Sequence, residues 1–314
     1  MFAPRKVKTH NCEKRESALT CIKKNKMLYL FLVPGIILVF IFAYCPLPGL
    51  LMSFMDYDMF KGFKSDWVGF DNIIKIFTIP EFSKAILNTV WLSLLGIIIG
   101  FPLPIIFALM LNELNDGKFK KFTQTVSYLP HFLSTIAVIG MAVSIYSEYG
   151  ILNDLRIWLF GENTARELFL TKQNLFVPNI LILSNWKGLG WSSVIYLAAI
   201  SGVDSSLYEA AIVDGAGKFR QCLHITIPSI STTIIMLFIL KIGSLFNSDF
   251  ELIYGLQNVY IDFEVISTVI YKQGITGGNY SVSTAFGFVQ GVVSLVLVLI
   301  TNYISKRVDD VSLI

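Results

Sequence analysis

The sequence predicts an all-α integral membrane protein with six transmembrane helices and both termini cytoplasmic. Three observations carry this prediction. Of the 314 residues, 54% are hydrophobic and only 15% are charged, against about 25% charged in soluble domains, and mean hydropathy is +0.64. Several apolar runs reach the roughly 18 residues that suffice to cross a bilayer. None alternates in the segments of about ten residues that mark barrel strands, so their backbone groups must be satisfied within helices.

The chain begins with a polar, basic tail over residues 1–26, carrying Arg5, Lys6, Lys8, Lys14, Arg15, Lys23, Lys24 and Lys26. The apolar run that follows begins at Met27, and the first span is placed at 27–54. It is longer than the roughly 7–15 residues of a signal-peptide core, and no small-residue cleavage site follows, so it reads as uncleaved. Residues 55–85 are expected to form an external excursion before a five-helix core over 86–306. Further spans are predicted at Ile86–Leu111, Phe122–Ile145, Leu175–Ile200, Ile230–Phe250 and Ala285–Ile304, with a short tail at 307–314.

Lys and Arg in the connections set the orientation. The basic tail, Lys118, Lys120, Lys121, Lys218, Arg220, Lys306 and Arg307 fall on one side. Fewer fall on the other: Lys61, Lys64, Lys75, Lys84, Arg156, Arg166, Lys172 and Lys272. The richer side is cytoplasmic. Cys12, Cys21, Cys45 and Cys222 have neither paired nor metal-ligand spacing, and no disulfide or metal site is expected. A dispersed net charge of +3 gives no nucleic-acid signal.

One cytoplasmic stretch is unusually polar: Glu209–Pro228, EAAIVDGAGKFRQCLHITIP. Ser206 and Glu209 have capping-box spacing, which predicts a short helix over Leu207–Asp214. Gly215 and Gly217 permit a sharp turn. A second short helix is expected to end before Pro228, which disfavours helix at Ile227.

The pattern Glu209-Ala210-Ala211, then Gly215, then Ile225-Thr226-Ile227-Pro228 resembles the EAA loop of binding-protein-dependent ABC importer permeases, and Asp214-Gly215-Ala216 fits its sugar-permease form. The closing Ile-Thr-Ile-Pro and Cys222, where many relatives carry an aromatic, are departures. Leu32-Val33-Pro34-Gly35, Trp67-Val68-Gly69-Phe70-Asp71-Asn72 and Asn88-Thr89 also look like carbohydrate permeases, of the polysaccharide or lipoprotein type found in Gram-positive bacteria. The resemblance implies a type I importer permease in a bacterial cell membrane, with a MetI-like transmembrane domain. It implies pairing with a second permease subunit, two ABC ATPase subunits below and an extracellular solute-binding protein that delivers a carbohydrate. It also implies that the EAA helix sits in a groove on the ATPase and transmits its closure. The bland alternative is an interfacial helix with no partner.

The chain carries no engine of its own. The phosphate-cradling G-x-x-x-x-G-K-[ST] loop fails at Ile212 and at Phe219 around Gly217-Lys218, and His10, His131 and His224 form no H-E-x-x-H set. No enzymatic activity and no cofactor are expected in this chain; ATP and Mg would bind the partner ATPases.

Polar residues inside spans are costly and suggest a pathway. Asn185, Trp186, Lys187 and Trp191 interrupt span four beside Gly188 and Gly190, and Lys241 and Asn247 lie in span five. Sugar recognition favours aromatic faces with hydrogen-bond donors. The competing readings are helix approach at the glycines, interfacial Trp and, for Lys241, pairing with an acid of a neighbouring helix. Pro130-His131 reads as a helix-start device. A permease for a non-sugar solute, a secondary transporter and a membrane scaffold are the alternative functions.

Overall fold

The computed structural model describes residues 26–309. The tail over 1–25, with His10, Cys12 and Cys21, and residues 310–314 lie outside the described residues, as does the Arg307 side chain. Helices dominate, and the strands among the described residues are β1 (Met55–Asp56) and β2 (Asp66–Trp67), paired antiparallel.

The chain divides between Leu51 and Met52. In the first unit, α1 (Lys26–Val39) runs through Pro34 and widens into a π turn at Phe40–Tyr44, closed by Cys45 N–H donating to Phe40 O at 3.0 Å.

The second unit opens with α2 (Asp71–Thr78), whose buried Asn72 donates to Ser53 O and Met55 O. Fully buried Ile76 packs with Phe82 and Ala85 of α3 (Pro80–Ile98) and with Val282, Ala285 and Phe286 of α15 (Tyr280–Asp309). After a three-residue break comes α4 (Pro102–Glu113), and both α3 and α4 begin with proline in the first turn, where its missing N–H costs nothing.

Four helical runs among the described residues are long and apolar enough to cross a membrane: Lys26–Phe54, Pro80–Glu113, Thr135–Phe160 and Tyr280–Lys306. A fifth arises if Lys218–Ser229 and Ser231–Gly243, bent by 64°, count as one. The predicted fourth span is α8 (Gln173–Ser201), 29 residues long and so about 43 Å at 1.5 Å per residue. It has the length but not the apolarity, because Asn179, Asn185, Trp186, Lys187 and Trp191 dilute it.

Two predicted spans differ from the structure. Phe122–Ile145 is not continuous: α5 (Lys118–Tyr128) gives way to a 3-10 turn at Leu129–Phe132 before α6 (Thr135–Tyr146). Pro130 interrupts the ladder, and Ser134 starts the next helix by accepting Ala137 N–H. The apolar stretch continues instead into α7 (Ile151–Phe160). Similarly, Ile230–Phe250 reduces to α12 (Ser231–Gly243). The chain then turns until Asp249 caps α13 (Phe250–Leu256) by accepting Leu252 N–H at 3.2 Å.

Segment 257–276 is a knot of side-chain hydrogen bonds leading through α14 (Ile266–Val269) into a π turn at Ile270–Thr276. Glu264 accepts from Lys272 at 2.5 Å and from Thr268 at 2.6 Å. Asn88 donates to Glu264 O, and buried Thr89 accepts Ile266 N–H at 2.9 Å, which pins the segment to α3. A second clasp joins α7 to the loop before α8. There Asn153 donates to Ser147 O and Glu167 O and accepts Glu167 N–H. Lys172 and Arg156 both bond the Glu167 carboxylate, and hydrogen bonding to Lys172 leads in holding its carboxyl below the usual range.

Candidate functional site

Loop 204–229 begins with α9 (Ser205–Val213). The predicted Ser206–Glu209 capping box does not form. Asp204 accepts Ser206 N–H at 2.9 Å and caps the helix two residues earlier, a role in which Asp is as effective as Ser. That hydrogen bond holds the Asp204 carboxyl below its ordinary range. Ser206 is thus the second helical residue, and Glu209 points outward, exposed.

The glycine turn forms as predicted, and its geometry is a Schellman motif. Ala216 N–H donates to Ala211 O at 2.8 Å and Gly215 N–H to Ile212 O at 3.0 Å, the paired bonds of that cap. Gly215 supplies the required left-handed backbone at φ +74°. Ala211 and Ala216 are half-buried, while Ala210 and Asp214 are exposed. Asp214 is the C-cap, its N–H donating to Ala210 O.

The second arm differs from expectation. Helix α10 (Lys218–Gln221) continues through a π turn at Cys222–Thr226 into α11 (Ile227–Ser229). Ile227 stays helical, and Pro228 lies in the first turn of α11. The wide turn just before Pro228 accommodates its ring and missing N–H, so the helix breaks later, at Ile230. Half-buried Ile225 faces inward, while Pro228 is exposed. The two arms are tied by Tyr208 Oη to Thr226 Oγ1 at 2.9 Å and by buried Gln221 donating to Ala216 O at 2.8 Å. Lys218 pairs with Glu113 at the end of α4. Outward from this self-bonded joint point Leu207, Ile212, Val213, Phe219 and Leu223, with Val213 87% exposed.

The polar residues of α8 separate. Lys187 donates to Thr135 Oγ1 at 2.7 Å, tying α8 to the start of α6. Asn185 donates to Leu181 O and lies against Gly100, where a Cβ would come within 2.8 Å of its Oδ1. It lines an apolar cleft with Trp91 and Leu103. Trp186 is about half exposed. Gly190 is a true close approach, since a Cβ there would sit 2.1 Å from Ser127 O, whereas Gly188 has open space. Trp191 is held parallel to His131 at 4.7 Å, whereas the helix-start role predicted for Pro130-His131 falls to Ser134.

Lys241 joins two cavities between α3, α4, α8 and α12. One, of about 150 Å³, also holds Ser93, Ser184, Ser244, Asn247, Ser248 and Asp249. The other, of about 220 Å³, holds Trp191, Ser192 and Tyr196. Asn247 accepts from Gln290 of α15 at 2.7 Å. Lys241 therefore lines one cavity with Asn247 and a second with Trp191, while Asn185, Trp186 and Lys187 line neither. The serines were missed in the sequence. Their only signal was spacing, with Ser244 and Ser248 one helical turn apart.

The family described as the binding-protein-dependent transport system inner membrane component matches residues 94–310. The chain belongs to this family. It is 41% identical to Protein LplB of Bacillus subtilis (strain 168), over 94% of this chain and 93% of that one. It is 40% identical to the polygalacturonan/rhamnogalacturonan transport system permease protein YteP of the same strain, over 95% and 93%. A solved bacterial alginate ABC transporter, in complex with an alginate pentasaccharide-bound periplasmic protein, matches with TM-score 0.85 and 38% identity, covering 95% of this chain and all of that one. This family member is a multi-pass cell-membrane permease component with several apolar helices, and not an enzyme.

Proposed function

We propose that this chain is the permease subunit of an ATP-driven importer that takes up a carbohydrate, an oligosaccharide, by alternating access. It works beside a second permease, above two ATPase subunits that bind ATP and Mg, and receives solute from an extracellular binding protein. The observation that carries this reading is the joint at 204–229. Its two arms are bonded to each other and to α4, so a push on it moves the helices, while Leu207, Ile212, Val213 and Phe219 point outward for a partner. The orientation follows from the basic residues, which place both termini and this joint in the cytoplasm. Names of relatives that include polygalacturonan and alginate support a carbohydrate.

Co-purification and uptake test this reading together. The chain is expected to copurify with ATPase subunits and, in proteoliposomes, to support oligosaccharide uptake only when ATP is present. Uptake without ATPase subunits would overturn it.

A further inference from the structure

We infer that the gap between α5 and the end of α8 is a binding site for an anionic phospholipid, its phosphate held by Lys118 and Lys121. The inference goes beyond the permease reading and takes from it only the orientation, which puts the start of α5 at the inner leaflet.

The shape of the gap suits a lipid. Helices α5 and α8 touch where Gly190 leaves no room for a Cβ against Ser127 O. Toward the start of α5 and the end of α8 they part around a cavity of about 750 Å³. Its α8 wall runs from Val194 through Leu197 and Ala198 to Ser201, about 10 Å of helix rise. Val194, Leu197 and Ala198 lie within the fourth predicted span, so the cavity reaches hydrocarbon depth, where the neighbour is lipid and not a protein docked beneath the membrane.

The charge is also suited. Lys118 and Lys121, one turn apart and both exposed, line the cavity. Among the described residues neither ammonium has a carboxylate within 4.0 Å. The acids beside them are engaged, Asp116 with Lys120 at 2.8 Å and Glu113 with Lys218 at 3.3 Å. Basic pockets between helices at a membrane surface attract anionic head groups, and a phosphodiester accepts hydrogen bonds from both ammonium groups. The Asn112 and Gln124 amides line the same cavity and supply further donors.

The outer surface of α5 completes the site. Phe119, Phe122 and Val126 are exposed, and their spacing puts them on one face, next to the lysines. Acyl chains can lie on that face while the cations hold the head group, as on amphipathic helices that bind anionic lipid. A free phosphate would use the lysines and leave both the apolar face and the apolar wall uncovered.

The test uses the complete transporter in nanodiscs that carry phosphatidylglycerol with a photoreactive acyl chain, or the matching phosphatidylcholine, with crosslinked peptides mapped by mass spectrometry. Phosphatidylglycerol is expected to label α5 and residues 194–201 well above phosphatidylcholine. Unlabelled phosphatidylglycerol should compete, and inorganic phosphate should not. Lys118→Gln with Lys121→Gln should lower the labelling roughly tenfold or more, the loss expected of two lysine contacts. Lys118→Arg with Lys121→Arg should keep it, and both double variants should assemble normally. The inference is overturned if the two lipids label alike, which shows ordinary surrounding lipid, if the double Gln variant labels like wild type, or if inorganic phosphate displaces the lipid. Labelling that appears only after the ATPases are stripped would also overturn it and assign this surface to a protein partner. A membrane-impermeant amine reagent on intact cells checks the orientation separately: modification of Lys118 from outside would overturn the orientation and the leaflet assigned to the lipid. If no ATPase copurifies, the permease reading falls, while the labelling still decides the lipid site.

Discussion

Loop 204–229 and segment 257–276 are both short, polar and broken into helical turns, yet the chain finishes them in opposite ways. The segment closes on itself and on α3: Glu264, Lys272, Gln257 and Thr268 bond one another, and Thr89 receives Ile266 N–H. Its central apolar residues Ile261, Phe263, Val265 and Ile266 are buried, although Val259, Tyr260 and Ile275 stay exposed. The loop is bonded just enough to hold its shape, through the Schellman turn and the Tyr208–Thr226 and Gln221–Ala216 contacts, and it leaves Leu207, Ile212, Val213, Phe219 and Leu223 outside. A region that completes its own bonding is scaffold. A region that is rigid but leaves apolar surface uncovered is built to be completed by another molecule.

The largest effects should come from breaking the loop. Gly215→Pro cannot adopt φ +74°, because proline is fixed near −65°. ATP-coupled uptake should fall by roughly tenfold or more, while the chain still inserts and the scaffold segment keeps its hydrogen-exchange protection. Glu209→Lys reverses an exposed charge with no partner among the described residues and should weaken ATPase assembly without lowering the melting temperature of this subunit. If both variants assemble and transport normally, the loop does not couple.

Next in size is the close approach of α8 to Ser127, at the end of α5. Gly190→Val forces a side chain into Ser127 O, where even a Cβ would be 2.1 Å away. Overpacking of this kind costs about 1–3 kcal/mol or more, and thermal unfolding of the detergent-solubilised complex should show it. Gly188→Ala, with open space around it, is the control and should be near neutral.

Thr89→Val removes the acceptor of the Ile266 N–H in the scaffold segment. An orphaned buried donor costs about 1–3 kcal/mol, read as faster exchange at Ile266 with the loop unaffected.

The Glu167 clasp should give the smallest effect. Its carboxyl titrates below the ordinary value because Lys172 and Arg156 favour the charged form. Its contribution is therefore present above the unfolded value, about 4.3, and is lost as pH falls through the lower folded value. The protection factor of the Glu167 amide, its exchange relative to the unfolded chain at the same pH, should be flat between about pH 7 and 5 and fall only below the usual carboxylate range. Glu167→Gln should weaken the clasp already at neutral pH.

The same contrast explains what the sequence made legible. The loop was readable because its signals are local: a glycine at the left-handed position, small residues beside it and a proline after it all lie within one stretch. What failed there was also local competition, with Asp204 capping ahead of Ser206 and a π turn absorbing Pro228. The segment was opaque because its bonds join residues far apart, such as Asn88 with Glu264 and Thr89 with Ile266. The Lys241 cavities were half legible. Lys241 and Trp191 stood out as costly residues in spans, but only packing showed that they share a cavity while Lys187, four residues from Trp191, turns to Thr135.

The most direct measurement is oligosaccharide uptake by proteoliposomes holding the permease pair and binding protein, with ATP inside, with and without the ATPase subunits. Uptake is expected only when the ATPase subunits are present, whatever ion gradient is imposed. Uptake driven by a gradient in their absence would contradict it and make this chain a secondary transporter.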